Sequence, residues 1–373
     1  MNFSLDIKNC NRIINTIAVF LFSTILFSCG SSRIGDNNLY EINFLDEYIL
    51  ENGIQFKGQE IGGLSGIDYN GENFILVSDH SKRPFIYFVD ISLKGNSIDN
   101  IQFKKSVPIS CDDIIGFDTE SVRFNPVNEN FLLAGEGNIN KFQDPVIFEV
   151  NAEGSCSRIY DLPDHFEAKA IDGPRSNGVF EGLTVDYKQT GFWVINELPL
   201  KRDGIKPKLY NTNSPLRLTH YRFENPGPDF QLSYDLDRLR RLPLLPFGLN
   251  GATELLQIDA ENILVLERAY SAGHGSKANR IRIFMVNLSG HENLLNVNSL
   301  KENKSFNLKK ILLFDSKKIK KKLKFRFIDN IEGITFGPKL DNGNNSLILV
   351  SDNNFNAFGN QINQFILLEI LKK

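Results

Sequence analysis

The chain has 373 residues, 41% of them hydrophobic and 23% charged, with a formal net charge of -3. That composition excludes a long disordered protein, and the near balance of charge argues against a general nucleic-acid binder. Its length allows two domains or one large all-β unit, so internal repeats decide between them.

Residues 1–28 read as a lipoprotein signal peptide. Lys8 and Arg12 precede an apolar run from Ile13 to Phe27, which is short for a bilayer span and ends in "LFSCG". Leu26-Phe27-Ser28-Cys29 has the form of a bacterial lipobox, predicting cleavage before Cys29 and lipid on its sulfur; a plain signal peptide or short anchor is the alternative. Residues 29–39 then form a tether, "SSRIGDNN" at its centre, and 40–373 form the folded domain. The expected location is the cell envelope, outside the cytoplasm, at the outer membrane or cell surface.

Five stretches of the domain share one grammar: "GGLSGIDYNGENFILVSD", "DTESVRFNPVNENFLLAGE", "VFEGLTVDYKQTGFWVINE", "GATELLQIDAENILVLE" and "NIEGITFGPKLDNGNNSLILVSD". Each is a short strand, a polar turn and an apolar strand ending in an acid, the pattern of a hairpin buried on both faces. Two more strand-like runs follow each of the first four. The fifth is followed by one, "NQFILLEIL", and "EINFLDEYIL" at residues 41–50 supplies the missing outer strand. The predicted fold is all-β, a β-propeller of four-stranded antiparallel blades, five in number, closed by the N-terminal strand. Because the repeats grow further apart along the chain, a sixth, degenerate blade is the alternative; a β-sandwich would not explain a recurring hairpin with fixed end residues.

In a blade the first strand starts, and the second ends, at the same face. Aligned on the repeats, the opening positions are Ser65, Glu120, Glu181, Glu254 and Glu332, and the closing positions Asp79, Glu136, Glu197, Glu267 and Asp352. So many carboxylates around one channel mouth demand raised pKa values or a cation, and oxygen-only donors favour Ca2+ over other divalent ions. Acids that cap strand ends on backbone N–H groups would be the bland alternative. The expected metal ligands are Asp79, Glu120, Glu136, Glu181, Glu254, Glu332 and Asp352.

Basic segments at 201–208, 238–241 and 317–326 fall in connections on the same face, an arrangement suited to an anionic small-molecule substrate; solvated loops, or contact with anionic headgroups, are the other readings. After closing acids come Arg268, a candidate phosphate contact, and nearby His80 and His274, candidate general acids. Glu197, Glu267 and Asp352 are the candidate ligands or bases. Ser65 in "GLSG" lacks a nucleophile-elbow context. Cys111 and Cys156 are expected to remain unpaired, one at the mouth face and the other at the opposite face.

The motifs "GGLSGIDY", "FEGLTVD", "ATELLQIDAENILVLERAYSAGHG" and "DNIEGITFGPKLDNGNNSLILVSDNNFN" together resemble the phytase-like family ("esterase-like activity of phytase") over most of the mature chain. The resemblance implies ester or phosphoester hydrolysis, with metal ions as electrophile and source of hydroxide by similarity to calcium-dependent propeller phytases. By motif position it implies Glu181, Glu254, Glu267, Arg268, Glu332 and Asp352 as mouth residues, while Ser65 and Ser121 depart from the pattern. The expected protein is a lipid-anchored monomeric hydrolase, reaching the membrane through Cys29. A non-catalytic surface propeller that binds a ligand or partner, or a gluconolactonase-like lactonase, are the alternatives.

Overall fold

A computed structural model describes residues 39–80, 84–112, 114, 118–301, 304–357, 359 and 361–373. The signal peptide, Cys29 and the tether up to residue 38 lie outside the described residues.

Five four-stranded antiparallel sheets form the blades. Strand β1 (Tyr40–Leu50) and the small hairpin β2 (Gln55–Phe56) and β3 (Gln59–Glu60) come first. Blade 1 holds β4 (Leu64–Tyr69), β5 (Phe74–Ser78), β6 (Phe85–Lys94) and β7 (Ser97–Pro108). Blade 2 holds β8 (Thr119–Phe124), β9 (Phe131–Gly135), β10 (Val146–Val150) and β11 (Cys156–Ile159). In blade 3 are β12 (Phe180–Val185), β13 (Gly191–Asn196), β14 (Pro215–Arg222) and β15 (Pro228–Asp235). Blade 4 consists of β16 (Gly248–Gln257), β17 (Asn262–Ser271), β18 (Asn279–Asn287) and β19 (Lys310–Asp315). Blade 5 takes β20 (Ile331–Lys339), β21 (Asn345–Ser351) and β22 (Asn363–Lys372) from the end of the chain and β1 from its beginning. The register of β1 on β22 runs from Tyr40 opposite Lys372 to Leu50 opposite Asn363, so residues near both ends of the domain share one sheet and close the ring.

The second strand of each hairpin is apolar on both faces because a neighbouring blade covers each side. Hydrophobic clusters accordingly lie between successive blades: Ile75, Val77, Val122 and Leu133 between blades 1 and 2, for example, and Leu266, Ile283, Ile334 and Leu349 between blades 4 and 5. The innermost strands nearly touch. A Cβ on Gly182 would lie 2.9 Å from Glu254 Cα, and one on Gly66 2.8 Å from Ser121 Cα, which explains the glycine that follows the opening position in these motifs.

The inner strands enclose a plug rather than an open pore. Arg123, buried in β8, donates to Ile67 O of blade 1 at 2.6 Å, Leu255 O of blade 4 at 2.9 Å and Ile334 O of blade 5 at 3.1 Å. It also pairs with Glu254 Oε2 at 2.9 Å, while Leu183 N of blade 3 donates to Glu254 Oε1 at 2.7 Å. One ion pair therefore ties together all five blades.

The expectation of two free cysteines is overturned: Cys111 and Cys156 form a disulfide, with Cα atoms 4.9 Å apart. Twist accumulates across a blade at roughly 20–25° per strand pair, so the outermost strand leans far from the direction of the innermost. The end of β7 is thereby carried sideways to blade 2. Ser110 N donates to Gly154 O at 2.9 Å and Cys156 N to Ser110 O at 3.0 Å, laying the segment along the β10–β11 turn.

Candidate metal centre and anion site

Each inner hairpin carries a one-residue bulge just inside the mouth. Pairing jumps from Leu64–Ser78 to Gly66–Val77, from Thr119–Gly135 to Ser121–Ala134, and from Phe180–Asn196 to Gly182–Ile195. It jumps likewise from Ala252–Glu267 to Glu254–Leu266 and from Ile331–Ser351 to Gly333–Val350. The skipped residues are Ser65, Glu120, Glu181, Thr253 and Glu332. Bulges re-aim side chains, and here one recurs at the same rung of every blade. The residue just past the outermost of these pairs is Asp79, Glu136, Glu197, Arg268 or Asp352.

This register corrects the sequence alignment in blade 4 by one residue. Thr253, not Glu254, holds the opening position, and Arg268, not Glu267, the closing one. Glu254 instead takes the place occupied by glycine in blades 1, 3 and 5 and belongs to the Arg123 plug. Glu267 faces away from the ring, into the polar interior of blade 4. It accepts from Tyr234 Oη at 2.7 Å, Lys310 Nζ at 2.6 Å and Asn250 Nδ2 at 2.7 Å. Burial alone would raise its pKa, but the Lys310 and Arg282 charges hold the carboxyl below the usual range. Neither residue is brought together with the other mouth acids. His274 is also remote from them in role: its Nε2 lies 2.9 Å from Leu242 O, holding a loop. His80 follows Asp79 at the rim, its ring edge-on to Phe355 at 5.4 Å. Ser65 donates to Thr119 O at 2.8 Å and fastens blade 1 to blade 2.

What remains is a ring of Asp79, Glu120, Glu136, Glu181, Glu197, Glu332 and Asp352, interrupted by one cation. Arg268 pairs with Glu332 and, at 3.3 Å, with Glu197 Oε1, and donates to Asn330 Oδ1 at 2.7 Å. Asn330 Nδ2 donates in turn to Glu332 Oε1 at 2.8 Å and Asp352 Oδ2 at 3.4 Å. Although burial opposes it, the surrounding Glu332, Glu197 and Glu181 keep the guanidinium firmly charged.

Away from Arg268 no ion pair among the described residues compensates the acids. Burial, then Asp352 and Asp118, push the Asp79 carboxyl up to about 8, and burial with Glu197 pushes Glu136 to about 8. Burial and Glu332 raise Asp352 to about 8, whereas Glu332, beside Arg268, reaches about 7, mostly from burial. Glu120 and Glu181, desolvated and facing other carboxylates, are raised well above the ordinary value. Asp79 Oδ1 is buried and has no hydrogen-bond partner among the described residues.

Sequence reasoning missed Asp118. It sits two residues before Glu120, its carbonyl accepts from Glu136 N at 3.1 Å, and its carboxyl, Glu120 and Glu136 each offer an oxygen within 4.8 Å of the others. The signal was available, since the corresponding residue of blade 5 is the polar Asn330, whose carbonyl accepts from Asp352 N. On the rim, Lys206 feels the Glu197 charge and lies near Arg175; burial and Arg175 lower its pKa. Of the other basic segments, Arg240 is paired with Asp237 at 2.8 Å, and Lys322 lies over the Phe44 ring at 5.7 Å.

No curated protein matches the chain. Among solved structures it is similar to a protein of unknown function from Dyadobacter fermentans (9% identity, 89% of this chain and 100% of that chain, TM-score 0.41). It is similar also to the Malassezia sympodialis allergen Mala s 1 (12% identity, 86% and 82% coverage, TM-score 0.37). A third, Kuenenia stuttgartiensis hydrazine synthase, has 8% identity and a TM-score of 0.35, over 87% of this chain and 66% of that one. Residues 59–355, well over half of the chain, match the phytase-like family described as "esterase-like activity of phytase". The chain belongs to the phytase-like family.

Proposed function

We propose that this protein is a divalent-cation-dependent hydrolase of phosphate esters or related esters, held outside the cytoplasm by lipid on Cys29. The reading rests on one observation: a largely buried ring of carboxylates in which, among the described residues, Arg268 is the ion-paired cation on one side and the close trio Asp118, Glu120 and Glu136 lies on the other. The donor set fits a hard ion. All its atoms are oxygens, the carboxyls crowd one another enough to raise their pKa values, and Asp79 Oδ1 is buried with no hydrogen-bond partner among the described residues. Asp118, Glu120 and Glu136 would hold the ion, with Asp79 beside them. When bound, such a cation supplies Lewis-acid activation of the ester and of water.

The chain's own residues divide the remaining work. Arg268 is oriented by Glu197, Glu332 and Asn330, so its guanidinium is fixed before substrate arrives and suits a planar contact to phosphate or carboxylate oxygens. Lys206 adds a second positive charge toward the rim. The role of proton acceptor falls in this reading to Glu197 or Asp352. Glu267 and Glu254 have structural duties instead.

The test is an assay of purified protein on p-nitrophenyl phosphate, a p-nitrophenyl carboxyl ester and a lactone panel, with Ca2+, Mg2+, Mn2+ or chelator. Turnover of an ester that needs a divalent ion and falls in Arg268→Met supports the reading. Tight metal binding with no turnover on any substrate would leave a non-catalytic binding propeller.

A further inference from the structure

Blade 4 differs from the others in length. Its inner hairpin continues past the ring rung, Gly251–Arg268, through the pairs Asn250–Ala269, Leu249–Tyr270 and Gly248–Ser271. At the usual rise per residue this carries the hairpin roughly 10 Å beyond the carboxylates. On the extension sits the segment Leu-Pro-Leu-Leu-Pro-Phe, residues 242–247, and its side chains face water: Leu242 is 63% exposed, Leu244 66%, Leu245 59% and Phe247 53%. Scattered exposed leucines are ordinary, but four large apolar side chains in six consecutive residues are not.

Most backbone donors of this ridge are already satisfied. Pro243 and Pro246 have no N–H, Leu244 and Leu245 both donate to Ala272 O (2.8 and 3.3 Å), and Phe247 donates to Leu245 O at 2.7 Å. Every backbone donor of residues 243–247 is therefore absent or paired, which lowers the cost of bringing the segment to an apolar boundary. The same pairing removes the free donors that strand addition by a partner protein would use. Ala272 N donates back to Phe247 O at 3.0 Å, and the Phe247 and Tyr270 rings lie 6.0 Å apart, so the ridge is fixed in place rather than loosely hung.

Behind the ridge the charge is of one sign. Residues 238–250 and 268–281 contain no Asp or Glu. Arg241 Nη1 donates to the backbone carbonyl of Lys277 at 2.7 Å, and the charges of both residues are felt by Lys320. Lys320 joins them: burial and the neighbouring Arg241 and Arg280 charges hold its ammonium below the ordinary pKa. Arg280 is matched by Asp315, but no carboxylate in these two segments matches Arg241 or Lys277. An apolar crest with cations set back from it complements the acyl boundary and anionic headgroups of a bilayer, in that order of depth.

We propose that residues 242–247, with Arg241 and Lys277, form a docking surface for an anionic lipid bilayer, and that docking turns the carboxylate mouth toward the membrane. The surface is independent of whether the ring is catalytic.

The test uses residues 39–373, a single compact unit that contains every strand of the ring and its closure. The protein is sedimented with vesicles of phosphatidylcholine containing phosphatidylglycerol and with phosphatidylcholine alone. Binding to the anionic vesicles should weaken with salt, and should fall about tenfold or more in Leu244→Ser/Leu245→Ser and in Arg241→Gln/Lys277→Gln. Both double variants alter exposed side chains, so their melting temperatures should match the parent. Absence of binding to anionic vesicles, or equal binding by parent and variants, overturns the proposal. So does a concentration-dependent dimer that the leucine variant abolishes while vesicles remain unbound, because the ridge would then be a contact between copies of the chain.

Discussion

Arg268 holds in blade 4 the position that Glu197 holds in blade 3, and the two side chains are ion-paired at 3.3 Å. A single exchange of charge at one of five equivalent sites thus breaks the symmetry of the ring. It separates an arc where carboxylates are neutralised by Arg268 from an arc where no cation among the described residues pairs with them.

Removing that cation should be costly. Arg268→Met leaves Glu197 and Glu332 buried without their partner, and loss of one member of a buried pair typically costs about 3–5 kcal/mol. Urea denaturation at pH 8 should show a loss of that order. At pH 5 the loss should shrink, because the orphaned carboxyls can take up protons.

Glu254 and Glu181 make a discriminating pair. Glu254→Gln strips the charge from the partner of buried Arg123 and should lower stability by about 3 kcal/mol or more with no direct effect on ion binding. In Glu181→Gln, one of several mutually repelling acids becomes neutral, so the ion-free protein should be at least as stable as the parent. Thermal melts of both variants in chelator check the contrast.

The disulfide should be present in protein from an oxidising compartment, giving no free thiol on Cys111 or Cys156 without reduction. Its 45-residue separation predicts a stabilisation of about 4 kcal/mol from loop closure in the unfolded chain. Denaturation of Cys111→Ser/Cys156→Ser against the parent measures it.

The ring acids fix the direction of the pH dependence. In the folded state Asp79 and Asp352 are raised from 3.8 to about 8, and Glu332 from 4.5 to about 7. Below the unfolded values these groups are protonated in both states. As pH rises, the unfolded chain releases its protons first, so folding stability contributed by the bound protons is lost progressively up to the folded values. Ion-free protein should therefore melt at a lower temperature at pH 8 than at pH 5.

Much of this architecture was legible in the sequence. Residues 41–50 were assignable to the last blade because that blade lacked one strand, and β1 on β22 supplies it. The acids of the Glu-Gly pairs at 181–182 and 332–333 were legible as opening positions, whereas the crowding of inner strands at their glycines shows only in the fold. Blade 4 misled because "ATELL" can be aligned on its acid or on its bulge, and only the hydrogen-bonded register separates the two. Asp118 was overlooked as the residue before a motif rather than part of it. The disulfide was hidden for another reason: strand order places Cys111 and Cys156 at opposite faces, and twist across the blade, which no local pattern records, brings them together.

The most direct test of the central claim is calorimetric titration of Ca2+ into chelator-treated protein at pH 8, beside Glu120→Gln and Glu136→Gln. Ca2+ should bind the parent with release of protons, and at least about tenfold more weakly in each variant. Failure of Ca2+, Mg2+ and Mn2+ alike to bind the parent, or affinities unchanged by both substitutions, would contradict it.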